Sequence, residues 1–420
     1  MINNNAINIS AYTISLLFAF NIFFWGITYH FIQFRFLIFF LLIPLLLNLN
    51  KDFFLKILKY ALIFILIFLH LYSQSNIFTY SSLFFILGLF FLLIILDFYQ
   101  IFFFANINKI INFFLFFFIL FIIFQFFFQF KNTGQMYSAN ICVGCFSDYR
   151  TFFLENSHLA FIAPSVIFYY LFIANYRILN FFLIIFFTYI CFVNASLTLY
   201  VGLILLVFFT IIFKIKSNIF QKIFLLLITF IVLISILNNS IIRHKLIDLP
   251  LSYNFKVVDK KKHIKDTDQN IEEFNKDRDQ AMRINLSGEV LRTSLIISKK
   301  ALFNKPLGYG FNNYNEAFQQ FIDEVYIYNW ETRGLNTKDA SNNFSKIVVE
   351  FGIFSLFFFY FLISFFFSKK IDNRIKIFLI MPIIIQLFIR GSGYFNGGFI
   401  VFSFYALILW LKDYKTSFKY

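Results

Sequence analysis

The feature that most constrains this chain is a series of apolar runs, each about as long as the hydrocarbon core of a lipid bilayer is thick. A transmembrane helix needs roughly 17–25 predominantly apolar residues. The sequence contains twelve such windows, at 11–28, 31–48, 57–73, 77–97, 110–130, 159–175, 178–194, 196–213, 220–238, 344–367, 375–390 and 397–412. Since helices satisfy their own backbone groups in lipid, this pattern predicts an all-α integral membrane protein with about 12 transmembrane helices.

Composition excludes a soluble protein. Hydrophobic residues make up 60% of the 420 positions, Phe alone occupies 73, and only 14% are charged. A soluble surface needs about 25% charged residues. No basic segment precedes the first apolar run, so we interpret that run as the first span and not as a cleavable signal peptide.

The distribution of charge predicts the orientation. With the N-terminus inside, the segments predicted to face the cytoplasm hold 15 Lys and Arg residues against four Asp and Glu. The short outer turns near 29–30, 74–76 and 194–195 hold none of either kind. Because cytoplasmic loops are enriched in Lys and Arg, both termini are predicted to lie in the cytoplasm.

Two predicted outer segments, 131–158 and 239–343, are too long to be turns. The longer one divides the chain into three parts. Residues 1–238 hold spans one to nine and the outer loop 131–158, residues 239–343 form one large outer loop, and residues 344–420 hold spans ten to twelve and a short tail. The large loop carries 16 Lys and Arg against 14 Asp and Glu. The net charge of +15 is therefore a topology signal facing anionic lipid, and nucleic acid is not a predicted partner.

The large loop has two different halves. Residues 256–283 are almost entirely polar, which is typical of a solvated spacer. From Ser287 to Phe303 apolar residues recur at helical spacing, and this predicts a helix on which Arg292 and Lys299 share a face. A turn-rich stretch, Pro306 to Phe311, follows. We therefore expect helices in the second half, and an ordered outer loop favours chemistry at the outer membrane face over permeation.

The first of three polar patches on the outer side runs from Asp148 to His158, directly before the sixth span. It combines Arg150, Glu155 and His158. A guanidinium, a carboxylate and an imidazole at a helix entrance can bind an anion and transfer a proton. The alternative is a solvated loop whose Asn156 or Ser157 caps the helix.

The second patch is Arg292 with Lys299 and Lys300. On an amphipathic helix lying against the membrane, these side chains would present cations to a phosphate group. The alternative is a surface ion pair, since Glu289 lies three residues before Arg292.

The third patch is the Gly-rich break from Arg390 to Gly398, between the last two spans. An Arg in hydrocarbon costs about 2.5–3.5 kcal/mol or more, so Arg390 needs a compensating anion or water. The alternative is that its side chain extends to the interface. Arg35, within the second predicted span, is a weaker case of the same kind.

Arginine suits a diphosphate ligand because its planar fork binds phosphate oxygens bidentately and stays charged. Several arginines converging at the outer leaflet would hold a lipid-linked pyrophosphate without a metal. The two Asp-x-Asp sequences, at 266–268 and 277–279, lie in the polar spacer, and Cys142 with Cys145 lacks the second ligand pair of a zinc site. We therefore predict neither a metal nor a cofactor.

Four motifs, in this order, resemble the O-antigen polymerase/ligase superfamily of polytopic inner-membrane proteins. Arg150 with Glu155 to His158 resembles the Arg…Glu-Pro-Ser-His pattern of polymerases, with Asn156 in place of Pro. Arg292 to Phe311 is similar to the stretch before the family's glycine turn. Ser341 to Ile353, with its Glu-x-Gly-Ile, resembles the family hallmark, and Arg390 to Asn396 resembles the polymerase side. The motifs cover about 60 of the 420 residues.

One departure separates the two branches of the family. The ligase hallmark begins with a His that is implicated in catalysis, and Ser341 stands in that place here. A Ser is a poor base for a sugar hydroxyl. The resemblance therefore favours a polymerase.

The resemblance implies a metal-independent glycosyltransferase at the periplasmic face of the bacterial inner membrane. Its substrates would be polyprenyl-pyrophosphate-linked oligosaccharides within membrane lipid, with or without a chain-length regulator protein. The expected roles are pyrophosphate binding for Arg150, Arg292, Lys299 and Arg390, with Arg292 also catalytic; proton transfer for Glu155 or His158; and glycan binding for Tyr309, Asn342, Tyr394 and Asn396.

Two alternatives stay open. One is the ligase, which transfers finished glycan to the lipid A core. The other is a non-enzymatic lipid-oligosaccharide flippase, a class that tends to be built from two similar halves. The sequence shows no internal repeat of that kind.

Overall fold

The structure is a computed structural model that describes residues 10–23, 28–29, 32–47, 51–74, 80–128, 156–174, 178–193, 196–238, 286–325 and 334–412. These residues are mostly helical. The helices before residue 239 are α1 (Ala11–Ile22), α2 (Leu42–Leu47), α3 (Lys51–Gln74), α4 (Tyr80–Phe98), α5 (Gln100–Ala105), α6 (Ile107–Phe128), α7 (Asn156–Leu159), α8 (Ala163–Phe172), α9 (Ile178–Val193), α10 (Leu197–Ile212) and α11 (Ile219–Asn238).

The helices after residue 285 include the one predicted over Ser287–Phe303, which is confirmed as α12. They are α12 (Leu286–Asn304), α13 (Tyr314–Phe321), α14 (Asn343–Phe351), α15 (Ser355–Phe367), α16 (Asn373–Ile384) and α17 (Phe399–Leu411). A 3₁₀ turn, Gly352–Phe354, joins α14 to α15, and a π-helical turn, Ile385–Ile389, continues α16.

The second predicted span, 31–48, differs from one continuous α-helix. It holds a two-residue strand, Ile32–Gln33, paired antiparallel with Thr28–Tyr29, followed by a 3₁₀ segment, Phe34–Leu41, and the short α2. Pro44 lies in the first turn of α2. Proline has no N–H to donate one turn back, so it suits a helix start and not a helix interior.

Two helical segments, Phe54–Gln74 and Asn343–Phe367, are long and apolar enough to cross a membrane. Only 17% and 33% of their apolar windows are buried inside the protein, unlike the core helix of a soluble domain. Leu58 and Phe357, for example, are each 72% exposed. Large contiguous apolar surfaces of this kind mark contact with lipid or a partner.

A buried carboxylate ties three helix ends together. Asp97, at the end of α4, accepts a hydrogen bond from the Lys412 ammonium after α17 and lies 3.4 Å from the Lys56 ammonium on α3. The Lys412 ammonium also donates to Gln100 Oε1 at 2.7 Å. We call this side of the bundle the Asp97 end.

The opposite side of the bundle meets the second half of the large loop. His70 follows Lys56 by fourteen residues on α3, which is about 21 Å along a helix. Its Nε2 lies 2.6 Å from the carbonyl oxygen of Leu307, and its ring stacks on Phe351 at 5.7 Å. We call this side the His70 end.

Residues 286–325 and 334–342, which we call the loop subdomain, share a small hydrophobic core of their own. It joins α12 and α13 to one side of α14, and it consists of Ile296, Ile297, Ala301, Tyr309, Tyr314, Ala317, Phe318, Phe321, Ile322, Val325, Ala340 and Val349. The expectation that the second half of the large loop is ordered is therefore met within the described residues.

A backbone clamp joins the loop subdomain to the helix that enters the bundle. The chain at 306–310 runs beside 349–353 with three hydrogen bonds: from the N–H of Tyr309 to the carbonyl of Val349 (2.9 Å), from Gly310 to Glu350 (2.9 Å) and from Ile353 to Pro306 (2.8 Å). The last carbonyls of a helix have no partner within it. The clamp supplies partners for two of them at the end of α14.

Gly352 permits the close approach in this clamp. Its φ is +53°, and a Cβ there would lie 2.0 Å from the carbonyl oxygen of Pro306. Both the left-handed backbone and this contact exclude a larger residue. The glycine of the Glu-x-Gly-Ile motif is therefore explained by packing.

We expect Gly352→Ala to lower the free energy of unfolding by about 2 kcal/mol or more, because it combines backbone strain with a clash. The measurement is the thermal unfolding midpoint of the protein purified in detergent. Gly334→Ala is the matched control, since no atom of the described residues lies within 4 Å of a Cβ at that position. Equal midpoints for the two variants would contradict the clamp.

Candidate functional site

A cavity of about 740 Å³ opens at the His70 end, between the loop subdomain and the helical bundle. Five stretches distant in sequence build its wall: the start of the 3₁₀ segment after the strand pair, the first half of α4, the turn into α13 with α13 itself, the approach to α14 with its first residues, and the break after α16. Its lining residues are Arg35, Phe85, Phe311, Asn312, Asn313, Asn315, Glu316, Gln319, Lys338, Asp339, Lys346, Ser392, Gly393, Tyr394, Phe395 and Asn396.

Lys346, on the second turn of α14, is the buried cation of the cavity wall. Its side chain is 2% exposed, and its ammonium donates to the carbonyl of Lys338 at 2.7 Å and to Asp339 Oδ1 at 3.3 Å. The ammonium also lies 3.6 Å from Glu350 Oε1, one turn further along the helix. A buried ammonium of this kind is stabilised only when carboxylates and carbonyls surround it.

Glu350 continues this chain into the protein. It is fully buried, and its Oε2 accepts a hydrogen bond from the Tyr394 hydroxyl at 2.6 Å. Burial and then the neighbouring Glu350 carboxylate raise the pKa of Tyr394 well above its ordinary value, so this phenol stays protonated and donates. Asp339, Lys346, Glu350 and Tyr394 thus form one continuous polar chain, which we call the Lys346 chain.

The opposite part of the wall carries a guanidinium bonded to an amide. Arg35 Nη1 donates to Asn396 Oδ1, and the Asn396 amide donates to the carbonyl of Ser392. The carboxylate of Asp339 is close enough to act electrostatically on Arg35. The break after α16 therefore presents Asn396 and Tyr394 to the same cavity that Arg35 reaches from the N-terminal part of the chain.

Aromatic rings complete the wall. The Tyr394 ring stacks on Phe311 with centroids 5.5 Å apart and planes 10° apart. Phe395 packs on Phe85 at 5.4 Å. Tyr394 and Phe311 are buried against each other, whereas Phe85 and Phe395 are half-buried and leave apolar ring surface beside the amide groups. Such a wall suits a ligand that carries both hydroxyl groups and C–H faces, and sugars have both.

Arg292 lies near this region but is not among the cavity's lining residues. It is 3% exposed on α12, and Glu289 beside it is fully buried. The alternative of a surface ion pair is therefore wrong, because neither side chain is at the surface. Ser294, two residues on, has its hydroxyl 3.5 Å from that of Ser341, at the start of α14.

Arg292 and Lys299 stand seven residues apart on α12, as the spacing predicted, but their surroundings differ. Arg292 is buried, whereas Lys299 is exposed. Lys300 pairs with Glu324 at 2.9 Å. The three cations of the second patch thus occupy three different environments.

Arg390 ends the π-helical turn, and its backbone N–H donates to the carbonyl of Ile385 at 3.0 Å. Its side chain is half-buried and does not line the cavity. The next residue, Gly391, donates its N–H to the carbonyl of Ser341 at 2.9 Å. The structure therefore brings the second and third patches to the same segment, at the start of α14.

Of the first patch, only His158 falls within the described residues with its side chain. It is buried on α7, 6% exposed, and its ring lies 5.3 Å from that of Phe161. Arg150 and Glu155 lie outside the described residues, as do the Asp-x-Asp and Cys-x-x-Cys sequences. The described helix begins at Asn156.

Tyr309 and Asn342 have internal partners and do not line the cavity. The Tyr309 hydroxyl donates to Gln320 Oε1 at 2.7 Å, and burial raises the pKa of Tyr309 despite an opposing hydrogen bond from Asn304. Asn342 caps α14, accepting the Ser345 N–H at 2.7 Å. Of the four predicted glycan-binding residues, the cavity contains Tyr394 and Asn396.

The sequence reasoning missed Lys338, Asp339, Lys346 and Glu350. A signal for the last two was present, because Lys346 and Glu350 stand one turn apart at the start of an apolar span, where charged residues are rare and functional. Lys338 and Asp339 carried no such signal. Neither a family model, nor a curated protein, nor a solved structure matches this chain.

We expect Lys346→Met to destabilise the protein by about 3 kcal/mol or more, because it leaves the Glu350 carboxylate buried beside an apolar group. Adding Glu350→Gln should recover at least half of that loss. The measurement is a double-mutant cycle on the thermal unfolding midpoint. In the matched control, Lys305→Met breaks a pair that is 27% and 26% exposed and should cost about 1 kcal/mol or less. Failure of the second substitution to recover stability would contradict a buried ion pair.

Proposed function

We propose that this chain is a multi-pass glycosyltransferase of the bacterial inner membrane that polymerises polyprenyl-pyrophosphate-linked glycan at the periplasmic face. The cavity at the His70 end is the observation that carries the proposal. It combines cations, amide side chains and stacked aromatic rings at the end of membrane-suited helices. A lipid-linked glycan diphosphate needs all three, together with a place where its lipid remains in the bilayer.

The helix ends support the proposed topology. Lys56 and Lys412 meet Asp97 at one end, and Lys376 lies over Phe213 at the end of α10. These cations belong to segments predicted to face the cytoplasm. The loop subdomain packs at the other end of α3, as a periplasmic loop should. Alternating spans with both termini inside account for both observations.

The proposed reaction uses the cavity as follows. A hydroxyl of the acceptor repeat unit attacks the anomeric carbon of the donor chain, and polyprenyl pyrophosphate leaves. Arg35 and Lys338 stabilise the leaving diphosphate from the cavity wall, and charge-assisted hydrogen bonds of this kind are the strong ones. Arg150, Arg292, Lys299 and Arg390 stay proposed as further pyrophosphate ligands. The loop subdomain covers the cavity, so that transfer outcompetes hydrolysis.

The cavity assignment is tested by Lys338→Gln, which removes an exposed cation without touching the bonds of the Lys346 chain. We expect the KM for the lipid-linked donor to rise about tenfold, the effect of one charged hydrogen bond. Lys369→Gln is the matched control, because Lys369 is also exposed but follows α15, away from the cavity. The measurement is chain extension by purified protein supplied with lipid-linked repeat units. An equal effect of both substitutions would place the ligand elsewhere.

The proposed role of the arginines is tested separately. Arg390→Ala should abolish chain extension while leaving membrane insertion intact, and Arg390→Lys should restore it only in part, since a lysine cannot bind bidentately. Arg292 is buried, so the milder Arg292→Lys is the informative variant there. If Arg390→Ala and Arg292→Lys both still produced long-chain polymer, these arginines would have no role in pyrophosphate binding.

The products in a deletion strain distinguish polymerase from ligase. Loss of a polymerase leaves one repeat unit on the lipopolysaccharide core, whereas loss of a ligase leaves bare core. Polymerisation in the purified system would in turn exclude a flippase that only moves lipid-linked oligosaccharide.

A further inference from the structure

We infer that Asp339 is the catalytic base that takes the proton from the acceptor hydroxyl. The inference rests on the proposed glycosyl transfer in the cavity. Glycosyl transfer by direct displacement needs a group that removes this proton as the new bond forms. Such a group must reach the cavity, carry an acceptor oxygen with capacity to spare and be held in one orientation.

Asp339 meets the requirement of access. Its side chain is 49% exposed and lines the cavity. Asp339 is the last residue of the turn at 334–339, shortly before α14 begins. Its Oδ1 accepts from the buried Lys346 ammonium at 3.3 Å, and Oδ2 has no hydrogen bond within the described part of the chain. One oxygen is therefore anchored and the other is presented to the ligand.

The Lys346 ammonium holds Asp339 in this orientation. Lys346 is itself held by the Lys338 carbonyl and by Glu350, so its ammonium has little freedom to move. On the other side, a Cβ at Gly393 would lie 2.8 Å from Asp339 Oδ1, and Gly393 has a φ of +88°. The backbone at Gly393 thus lies close beside the carboxylate, and its positive φ favours glycine there. Catalytic groups need this degree of positioning by their surroundings.

The other acidic groups near the cavity fit the role less well. Glu350 is fully buried and bonded to Tyr394, so it cannot meet a hydroxyl of the substrate. Glu316 also lines the cavity, and its Oε1 pairs with Lys305 at 3.2 Å, but that lysine is 27% exposed and holds its carboxylate less firmly than the buried Lys346 holds Asp339. His158 is buried and is not part of the cavity wall.

The proton of the acceptor hydroxyl passes to Asp339 Oδ2, and the acceptor oxygen forms a bond to the anomeric carbon of the donor. The bond from that carbon to the phosphate oxygen breaks, and its electron pair leaves with polyprenyl pyrophosphate. Asp339 returns the proton to water when the extended chain departs. Lys346 is a positioning residue in this scheme, since it acts through Asp339.

The experiment uses the full chain in lipid nanodiscs and, as probe, the lipid-linked repeat unit that accumulates in a strain lacking this protein. Asp339→Asn keeps the shape and a bond to Lys346 but cannot accept the proton. We expect kcat for chain extension to fall at least about 100-fold, with probe affinity unchanged within about threefold. In Asp339→Ala, added formate should restore part of the rate by entering the vacated space. Asp323→Asn, an exposed acid of the same subdomain outside the cavity, should be unaffected.

A rate for Asp339→Asn within about threefold of the parent would overturn the inference, and so would an equal loss of probe affinity, which signifies binding alone. The base would also lie elsewhere if formate failed to restore the rate of a folded Asp339→Ala variant. The same conclusion would follow if Glu155→Gln or Glu316→Gln lost kcat but kept its affinity for the probe. If the parent protein binds the probe but extends no chain, the proposed function fails and not merely this residue.

Discussion

The arrangement at the His70 end depends on the backbone clamp between 306–310 and 349–353. Its hydrogen bonds satisfy carbonyls that the end of α14 leaves open, and they do so with main-chain groups whose positions vary little. A contact between flexible side chains would hold the loop subdomain less firmly. The clamp instead sets where α12 and α13 stand relative to the membrane-suited helices, and His70 on α3 bonds to the same turn.

The Lys346 chain builds on that geometry. Lys346 and Glu350 belong to α14, Asp339 to the turn before it, and Tyr394 to the break after α16. An ammonium and a carboxylate buried this deeply are tolerable only with partners on every side, and the partners come from four segments, since the backbone at Asn312 and Tyr314 also bonds to Glu350. The same network that holds Glu350 inside the protein also leaves one face of Asp339 towards the cavity. Stability and the proposed chemistry therefore share the same residues.

Local patterns predicted much of the helical structure. The spacing of apolar residues over Ser287–Phe303 predicted α12 to within about one residue at each end, and the apolar windows at 57–73 and 344–367 lie inside the two helical segments that are suited to a membrane. The window at 31–48 was wrong as a single helix, because hydropathy reports how apolar a segment is and not whether its backbone is α-helical. Pro44 marks where the α-helical part begins.

The site was less predictable, for a physical reason. Tyr394 and Asn396 could be predicted because they stand in a polar break between two apolar runs, and the sequence alone shows that contrast. Tyr309 stands in a similar stretch, yet the folded chain places its hydroxyl against Gln320 instead of in the cavity. Arg292 and Lys299 share a helical face by spacing, but one is buried and the other is exposed to solvent. Helical periodicity gives direction around an axis and says nothing about which neighbour lies in that direction.

By itself, the sequence determined that the chain is helical and suited to lipid, and where its polar segments interrupt the apolar ones. These properties follow from hydrophobicity and local backbone preference, and both are set by residues near one another in the chain. Only the tertiary structure decided that Arg35, Asp339, Lys346 and Asn396 share one cavity. They lie as far as 361 positions apart, and their meeting depends on how helices pack and on backbone contacts such as those of Gly352, which no pattern within a single segment encodes.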